Sequence, residues 1–313
     1  MRIGWIDSTH GSLWDELREA GHECVDLTHL GRADLLASVE GVAGVVVRSR
    51  VPIDAEFLER AGNLRFVARV GAGMENIDVG AAEARGVRCL NAPEGNRDAV
   101  GEHGLGMLLA LLNHLPRADR EVRAGQWRRE ENRGVEVMGK TVGLVGYGNT
   151  GRALARRLVG FGCRVLAYDK YLLGFSDFFV RECGLAELQA TADIVSFHVP
   201  ESPETVGMFD MAFIEAMGRP FYLLNTSRGR VVRTEDLLAG IASGKVLGAA
   251  LDVLEMEGRS FERLEGASQE VFDRLRSCEK VLLSPHVAGW TVESELKLAK
   301  TIAEKIKYWF PKP

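Results

Sequence analysis

The chain of 313 residues is 46% apolar and 27% charged, enough for two ordinary domains or one large one with a sizeable core. Its 39 basic and 44 acidic residues leave a net charge of -5, which excludes the basic field that nucleic acid or an anionic membrane surface would need. No apolar run approaches the roughly 20 residues of a membrane span, and Met1–Asp7 lacks a signal peptide's apolar core, so a cytoplasmic protein is expected.

Five short runs open the chain: Arg2–Ile6, Cys24–Leu27, Ala43–Val47, Leu64–Val70 and Val87–Leu90. They are apolar, rich in β-branched residues, and separated by helical stretches such as the one carrying Leu13, Trp14 and Leu17. Strands alternating with helices predict a parallel, doubly wound sheet. The turn-rich stretch Asn91–Asn96 then precedes a predicted helix from Ala99 to Leu112, which marks a domain crossing.

After an Arg-rich connection (117–133), a second series is predicted at Thr141–Val145, Arg164–Tyr168, Ile194–His198, Phe221–Leu224, Gly248–Leu251 and Val281–Leu283. The last helix, Thr291 to Phe310, is expected to bury Val292, Leu296, Ala299, Ile302, Ala303, Ile306 and Trp309. The expected fold is α/β with two doubly wound parallel-sheet domains. Residues 1–94 and 287–313 form one and residues 95–286 the other. Five scattered cysteines (24, 89, 163, 183, 278) with no C-x-x-C pair argue against a disulfide scaffold or a zinc ribbon, and no metal is expected.

Directly after the strand at Thr141–Val145 come Gly146, Gly148, Asn149, Thr150 and Gly151, a G-x-G-x-x-G at the start of a helix. In that setting backbone N–H groups and the helix dipole meet a pyrophosphate. Asp169 ends the next strand, 18 residues beyond Gly151, where a carboxylate accepts the adenosine ribose diol and repels a 2′-phosphate. The expected cofactor is NAD.

Further segments complete a pattern. Arg69–Asp78, Asn91–Asn96 with Glu102 and His103, Asn225–Gly229, Asp252–Glu257 and Ser284–Gly289 resemble, in order, segments of the D-isomer-specific 2-hydroxyacid dehydrogenase family. That family includes phosphoglycerate, glycerate and D-lactate dehydrogenases. The resemblance implies a flavodoxin-like substrate domain, a Rossmann NAD-binding domain and a homodimer acting on a small 2-hydroxy or 2-oxo acid. The chain stops after the family's last catalytic-core helix, so a C-terminal regulatory domain is not expected.

The chemistry fits the residues. Arg228 follows a strand and offers a planar fork to a carboxylate, and His286 follows another and can exchange the proton of the C2 hydroxyl. The resemblance makes Glu257 the acid partner of His286, with Glu255 and Glu265 as competitors. It also implies that the amides of Gly71, Ala72 and Gly73 bind substrate carboxylate. Thr226, Asp252 and the turn His198, Val199, Pro200 should line the cofactor.

Trp290 stands where the family more often has a small residue, and residues 258–280, with Phe261, Phe272 and Leu275, read as an inserted excursion. Arg48, Ser49 and Arg50 follow a strand of the first domain. Two guanidinium forks with a hydroxyl between them suit a 3-phosphate, as in some phosphoglycerate dehydrogenases. The substrate expected is therefore 3-phosphoglycerate/3-phosphohydroxypyruvate, with hydroxypyruvate or glyoxylate as runner-up. A dinucleotide-sensing binding protein, like the family's corepressor relatives, is the alternative outside catalysis.

Overall fold

A computed structural model describes residues 1–258, 264 and 269–311. The chain divides into two units, one holding Met1–Arg97, Gly258 and the segment from Trp290 onward, the other holding Asp98–Glu257 and the described residues of Leu264–Gly289. The crossings fall at Arg97/Asp98 and Gly289/Trp290, three residues beyond each of the expected bounds.

The first unit runs β1 (Arg2–Trp5), α1 (Gly11–Glu19), β2 (Glu23–Asp26), α2 (Arg32–Ser38), β3 (Gly44–Val47), α3 (Ala55–Arg60), β4 (Phe66–Arg69), α4 (Val79–Ala84) and β5 (Arg88–Leu90). All strand pairs are parallel, in the order β2-β1-β3-β4-β5. This is the flavodoxin-like order, with its switch point between β1 and β3. Val45, Val47 and Val67 pack on one face of the sheet, Val46, Phe66 and Ala68 on the other. Burial on both faces explains why these strands read as continuous apolar runs rather than alternating ones. Asp54 and Asp78 start α3 and α4 by accepting the N–H groups of Phe57 and Ala81.

The second unit begins within α5 (Arg97–Leu112), followed by α6 (Leu115–Arg123), β6 (Thr141–Val145), α7 (Asn149–Arg157), β7 (Arg164–Tyr168), β8 (Arg181–Glu182), α8 (Leu185–Thr191) and β9 (Ile194–Phe197). It continues with α9 (Met211–Ala216), β10 (Phe221–Asn225), α10 (Thr234–Ala242), β11 (Val246–Leu251), α11 (Gln269–Ser277) and β12 (Val281–Leu283). Its parallel sheet has the order β12-β11-β10-β9-β6-β7-β8. The switch point, between β9 and β6, brings the turns after Val145 and Phe197 together, as a dinucleotide fold requires.

The closing helix, α12 (Val292–Trp309), belongs to the first unit, and Thr291 and Ser294 form its capping box. Its buried stripe is Ser294, Leu298, Ala299, Ile302, Ala303 and Ile306. The expected burial of Val292 and Trp309 is wrong, since both are exposed, and Leu296 is only half-buried. Leu298 takes the inward place against Gly95, where even an added methyl would lie 2.8 Å from the Leu298 backbone. The edge strand β8 escapes sequence reading because Arg181–Glu182 has no apolar pattern. Within the inserted excursion, α11 buries Leu275 and half-buries Phe272, while Phe261 and Glu265 lie outside the described residues. No described helix is long and apolar enough to cross a membrane.

Candidate active site

The glycine loop is held by contacts that forbid side chains. Gly146 has φ 95°, and a Cβ there would lie 2.6 Å from the His198 carbonyl oxygen; a Cβ on Gly151 would lie 2.4 Å from the Gly146 carbonyl oxygen. Gly148, the N-cap of α7, faces open space instead. Two glycines thus close the turn and the third leaves its backbone approachable, with Asn149 and Thr150 in the first helical turn behind it.

Asp169 follows β7 and fixes this loop from the side. Its carboxylate accepts the N–H groups of Tyr147 (2.8 Å), Tyr171 (2.9 Å) and Leu172 (3.0 Å). An ionised carboxylate has about four acceptor positions, so room remains for a diol hydroxyl. The neighbouring cation, Lys170, is paired with Glu204 at 2.7 Å.

The His198 side chain is held within the fold. Its ring is engaged with Ser196 at 2.8 Å and Thr150 at 3.2 Å, and burial pushes its pKa down to about 4, so it is a neutral strut under the loop. Half-buried Val199 and exposed Pro200 are what that turn presents.

At the carboxyl ends of β10, β11 and β12 lie the three segments carrying Arg228, Glu257 and His286. Asn225 shapes the first turn: its amide donates to the Arg228 carbonyl at 3.0 Å, and its oxygen accepts the N–H and hydroxyl of Ser227. A Cβ on Gly229 would lie 1.8 Å from the Leu254 carbonyl oxygen, so this turn packs backbone to backbone on the turn leading to Glu257. Thr226 is 8% exposed, and its hydroxyl oxygen is buried with no hydrogen bond among the described residues. Such an orphan at a strand's carboxyl end fits a ligand group that completes it.

The imidazole Nδ1 of His286 lies 2.7 Å from Glu257 Oε2, and Glu257 Oε1 accepts the Leu254 N–H. Glu255 points elsewhere, accepting the Thr234 N–H at 2.8 Å. His286 has φ 54°, a left-handed conformation that costs a non-glycine residue roughly 1–2 kcal/mol. Such strain persists only where surroundings over-determine it, often at functional sites.

Those surroundings are Asp252. It is 1% exposed, and it accepts the Ser284 hydroxyl (2.5 Å) and the N–H groups of Val287 (3.0 Å) and Ala288 (2.8 Å). Burial alone would raise its pKa, but hydrogen bonds from His103, Ser284 and these two amides pull it down to about 2. Asp252, expected as a cofactor contact, spends its carboxylate on the loop that carries His286.

The first unit holds the remaining expected residues. Arg48, Ser49 and Arg50 follow β3 beside the carboxyl end of β1, at the switch point. Of the two cations expected here, Arg50 is already engaged. Arg50 pairs with Asp7 at 3.0 Å and also donates to the carbonyls of Ile6 and Leu30. Asp7 is 6% exposed, so this arginine is the counterion of a buried carboxylate. Arg48 stacks over the Trp290 ring, 4.1 Å from its centroid, with Glu295 at 3.8 Å. In the loop after β4 the Gly71 N–H turns back to the Arg69 carbonyl, whereas the Ala72 and Gly73 amides make no hydrogen bond among the described residues.

Sequence reasoning missed Asp7, Ser284 and the role of Asn225. Asp7 follows a strand as Arg48 does, so two charged strand ends at one switch point were a usable signal. Asn225 bonds residues two and three positions on, a turn signal that is local, whereas the partners of Ser284 arrive from distant segments.

The family model for the D-isomer specific 2-hydroxyacid dehydrogenase NAD binding domain matches residues 105–288. A D-3-phosphoglycerate dehydrogenase from Archaeoglobus fulgidus is 35% identical over 294 residues, covering 93% of this chain and 54% of that protein. The chain thus spans about half the length of that relative. A hydroxypyruvate reductase from Thermotoga maritima is 33% identical over 278 residues, covering 89% of this chain and 88% of the relative. A solved structure from Thermus thermophilus matches with a TM-score of 0.82 and 31% identity, covering 97% of this chain and 95% of that one.

Proposed function

The chain belongs to the D-isomer specific 2-hydroxyacid dehydrogenase family, and on that premise we propose that it interconverts a D-2-hydroxy acid and its 2-oxo acid with NAD(H). The observation that carries this reading is the 2.7 Å pairing of His286 with Glu257, on the sheet edge that also bears Arg228.

Bound nicotinamide supplies the hydride for reduction or receives it in oxidation. Arg228 pairs its fork with the substrate carboxylate and polarises the C2 oxygen. With Nδ1 turned to Glu257, His286 exchanges the proton at Nε2, giving it to the C2 oxygen in reduction and taking it from the hydroxyl in oxidation. Glu257 holds the tautomer and stabilises the imidazolium without itself taking the proton. The glycine loop, Asp169, Val199, Pro200 and Thr226 hold the dinucleotide.

Asp169 favours NAD(H). The Kd for NADPH should exceed that for NADH by at least about tenfold, the effect of an unpaired, repelled phosphate. Asp169→Ala should narrow that ratio. Because it also removes three backbone hydrogen bonds, the ratio rather than either affinity is the readout. Equal affinity of the native protein for both dinucleotides contradicts the assignment.

For the substrate, Arg50 with Asp7 and Arg48 with Glu295 cancel in pairs, which favours a 2-oxo acid without a dianionic C3 group, such as hydroxypyruvate or glyoxylate. The second reading, 3-phosphohydroxypyruvate, draws on the Arg48–Arg50 spacing and on relatives named phosphoglycerate dehydrogenase. Comparing kcat/KM for hydroxypyruvate and phosphohydroxypyruvate separates them. Native preference for hydroxypyruvate, changed less than about threefold by Arg48→Ala, supports the first reading. A native preference for the phosphorylated acid that Arg48→Ala abolishes supports the second. Arg50 is left in place, since removing it strands a buried carboxylate at a cost of about 3–5 kcal/mol.

A further inference from the structure

His286 owes its backbone conformation to a chain of contacts that begins on another element. His103, on α5, places Nε2 3.0 Å from the Ser284 hydroxyl and 3.5 Å from Asp252 Oδ1. The Ser284 hydroxyl has one proton, and it goes to the Asp252 carboxylate at 2.5 Å, which can only accept. Ser284 Oγ is therefore the acceptor toward His103, and His103 carries its proton on Nε2.

Asp252 in turn takes the N–H groups of Val287 and Ala288 on its side chain and the N–H of His286 on its backbone carbonyl, at 2.7 Å. Successive contacts thus run from a helix side chain to the left-handed residue at φ 54°. The route is short and polar, and it is largely closed off from water at its Asp252 centre.

We infer that His103 is a positioning residue for His286, acting through Ser284 and Asp252 to hold the 286–288 backbone where the imidazole meets Glu257. Its Nε2 meets Ser284 and Asp252, and the role inferred for it runs through them. The inference rests on the reading of His286 as the acid–base group, but the geometry of the loop can be measured without turnover.

The experiment uses the full chain with His103→Ala, His103→Gln and Ser284→Ala. It reads amide hydrogen exchange at Val287 and Ala288, together with kcat and KM. Glutamine keeps an N–H donor at nearly the reach of Nε2; alanine keeps none.

In His103→Ala the two amides should exchange about tenfold faster, as expected when a local opening becomes easier. Its kcat should fall about tenfold with KM changed less than about twofold, since the base is displaced and binding is not. His103→Gln should restore both to within about threefold, and Ser284→Ala should behave like the alanine variant. Native exchange rates in His103→Ala overturn the inference whatever the activity, and so does a glutamine variant no better than alanine. Accelerated exchange that glutamine rescues, with a kcat that does not follow, upholds the positioning role and overturns the acid–base reading of His286 instead.

Discussion

His286→Ala is expected to lower kcat by about 10²–10⁴, the usual worth of a positioned acid or base, while NADH still binds. The replacement removes the group proposed to exchange the C2 proton, but it also puts alanine at φ 54°. His286→Asn is the companion variant, because asparagine adopts the left-handed region far more readily. Equal losses in kcat for both variants assign the effect to the missing imidazole rather than to a moved loop.

Glu257→Gln tests the other half of the pair. The imidazole loses the carboxylate 2.7 Å away that holds its tautomer and orientation, so kcat should fall by at least about tenfold. Full activity in His286→Ala or in Glu257→Gln contradicts these roles.

The second large effect comes from a residue with no side chain. A Cβ on Gly229 would sit 1.8 Å from the Leu254 carbonyl oxygen and 2.8 Å from the Glu255 nitrogen, both backbone atoms that no rotamer change can clear. Gly229→Ala must therefore separate the turn bearing Arg228 from the turn bearing Glu257. Overpacking of this kind costs about 1–3 kcal/mol of stability. A displacement near 1 Å at the two proposed active-site groups should lower kcat/KM about 10²-fold. Thermal unfolding and steady-state kinetics of Gly229→Ala check both. Native values in both would mean that the backbone contact between Gly229 and Leu254 does not position the site.

Much of the architecture was legible because the sheet strands are buried on both faces. Thr141–Val145, Arg164–Tyr168 and Val281–Leu283 stand out as apolar runs, and the structure gives them the same bounds. The last helix was legible in extent and, through Ala299, Ile302, Ala303 and Ile306, in its buried face. Val292, Leu296 and Trp309 were the misplaced positions, and Leu298 packs inward against Gly95.

The charged residues were the hardest. Arg48 and Arg50 look alike in sequence, yet Arg50 is bound to Asp7, 43 residues away, because β1 and β3 are neighbours. Asp252 reads in sequence as a cofactor contact at a strand end. Its burial follows from three loop donors that converge on it only in the folded unit.

The most direct measurement is NADH oxidation by the purified protein with a panel of 2-oxo acids, including hydroxypyruvate, glyoxylate and 3-phosphohydroxypyruvate. The account predicts turnover with at least one of them, strongest for an unphosphorylated acid, and its loss in His286→Ala. Tight NADH binding with no turnover on any 2-oxo acid would contradict it and leave the chain a dinucleotide-binding protein.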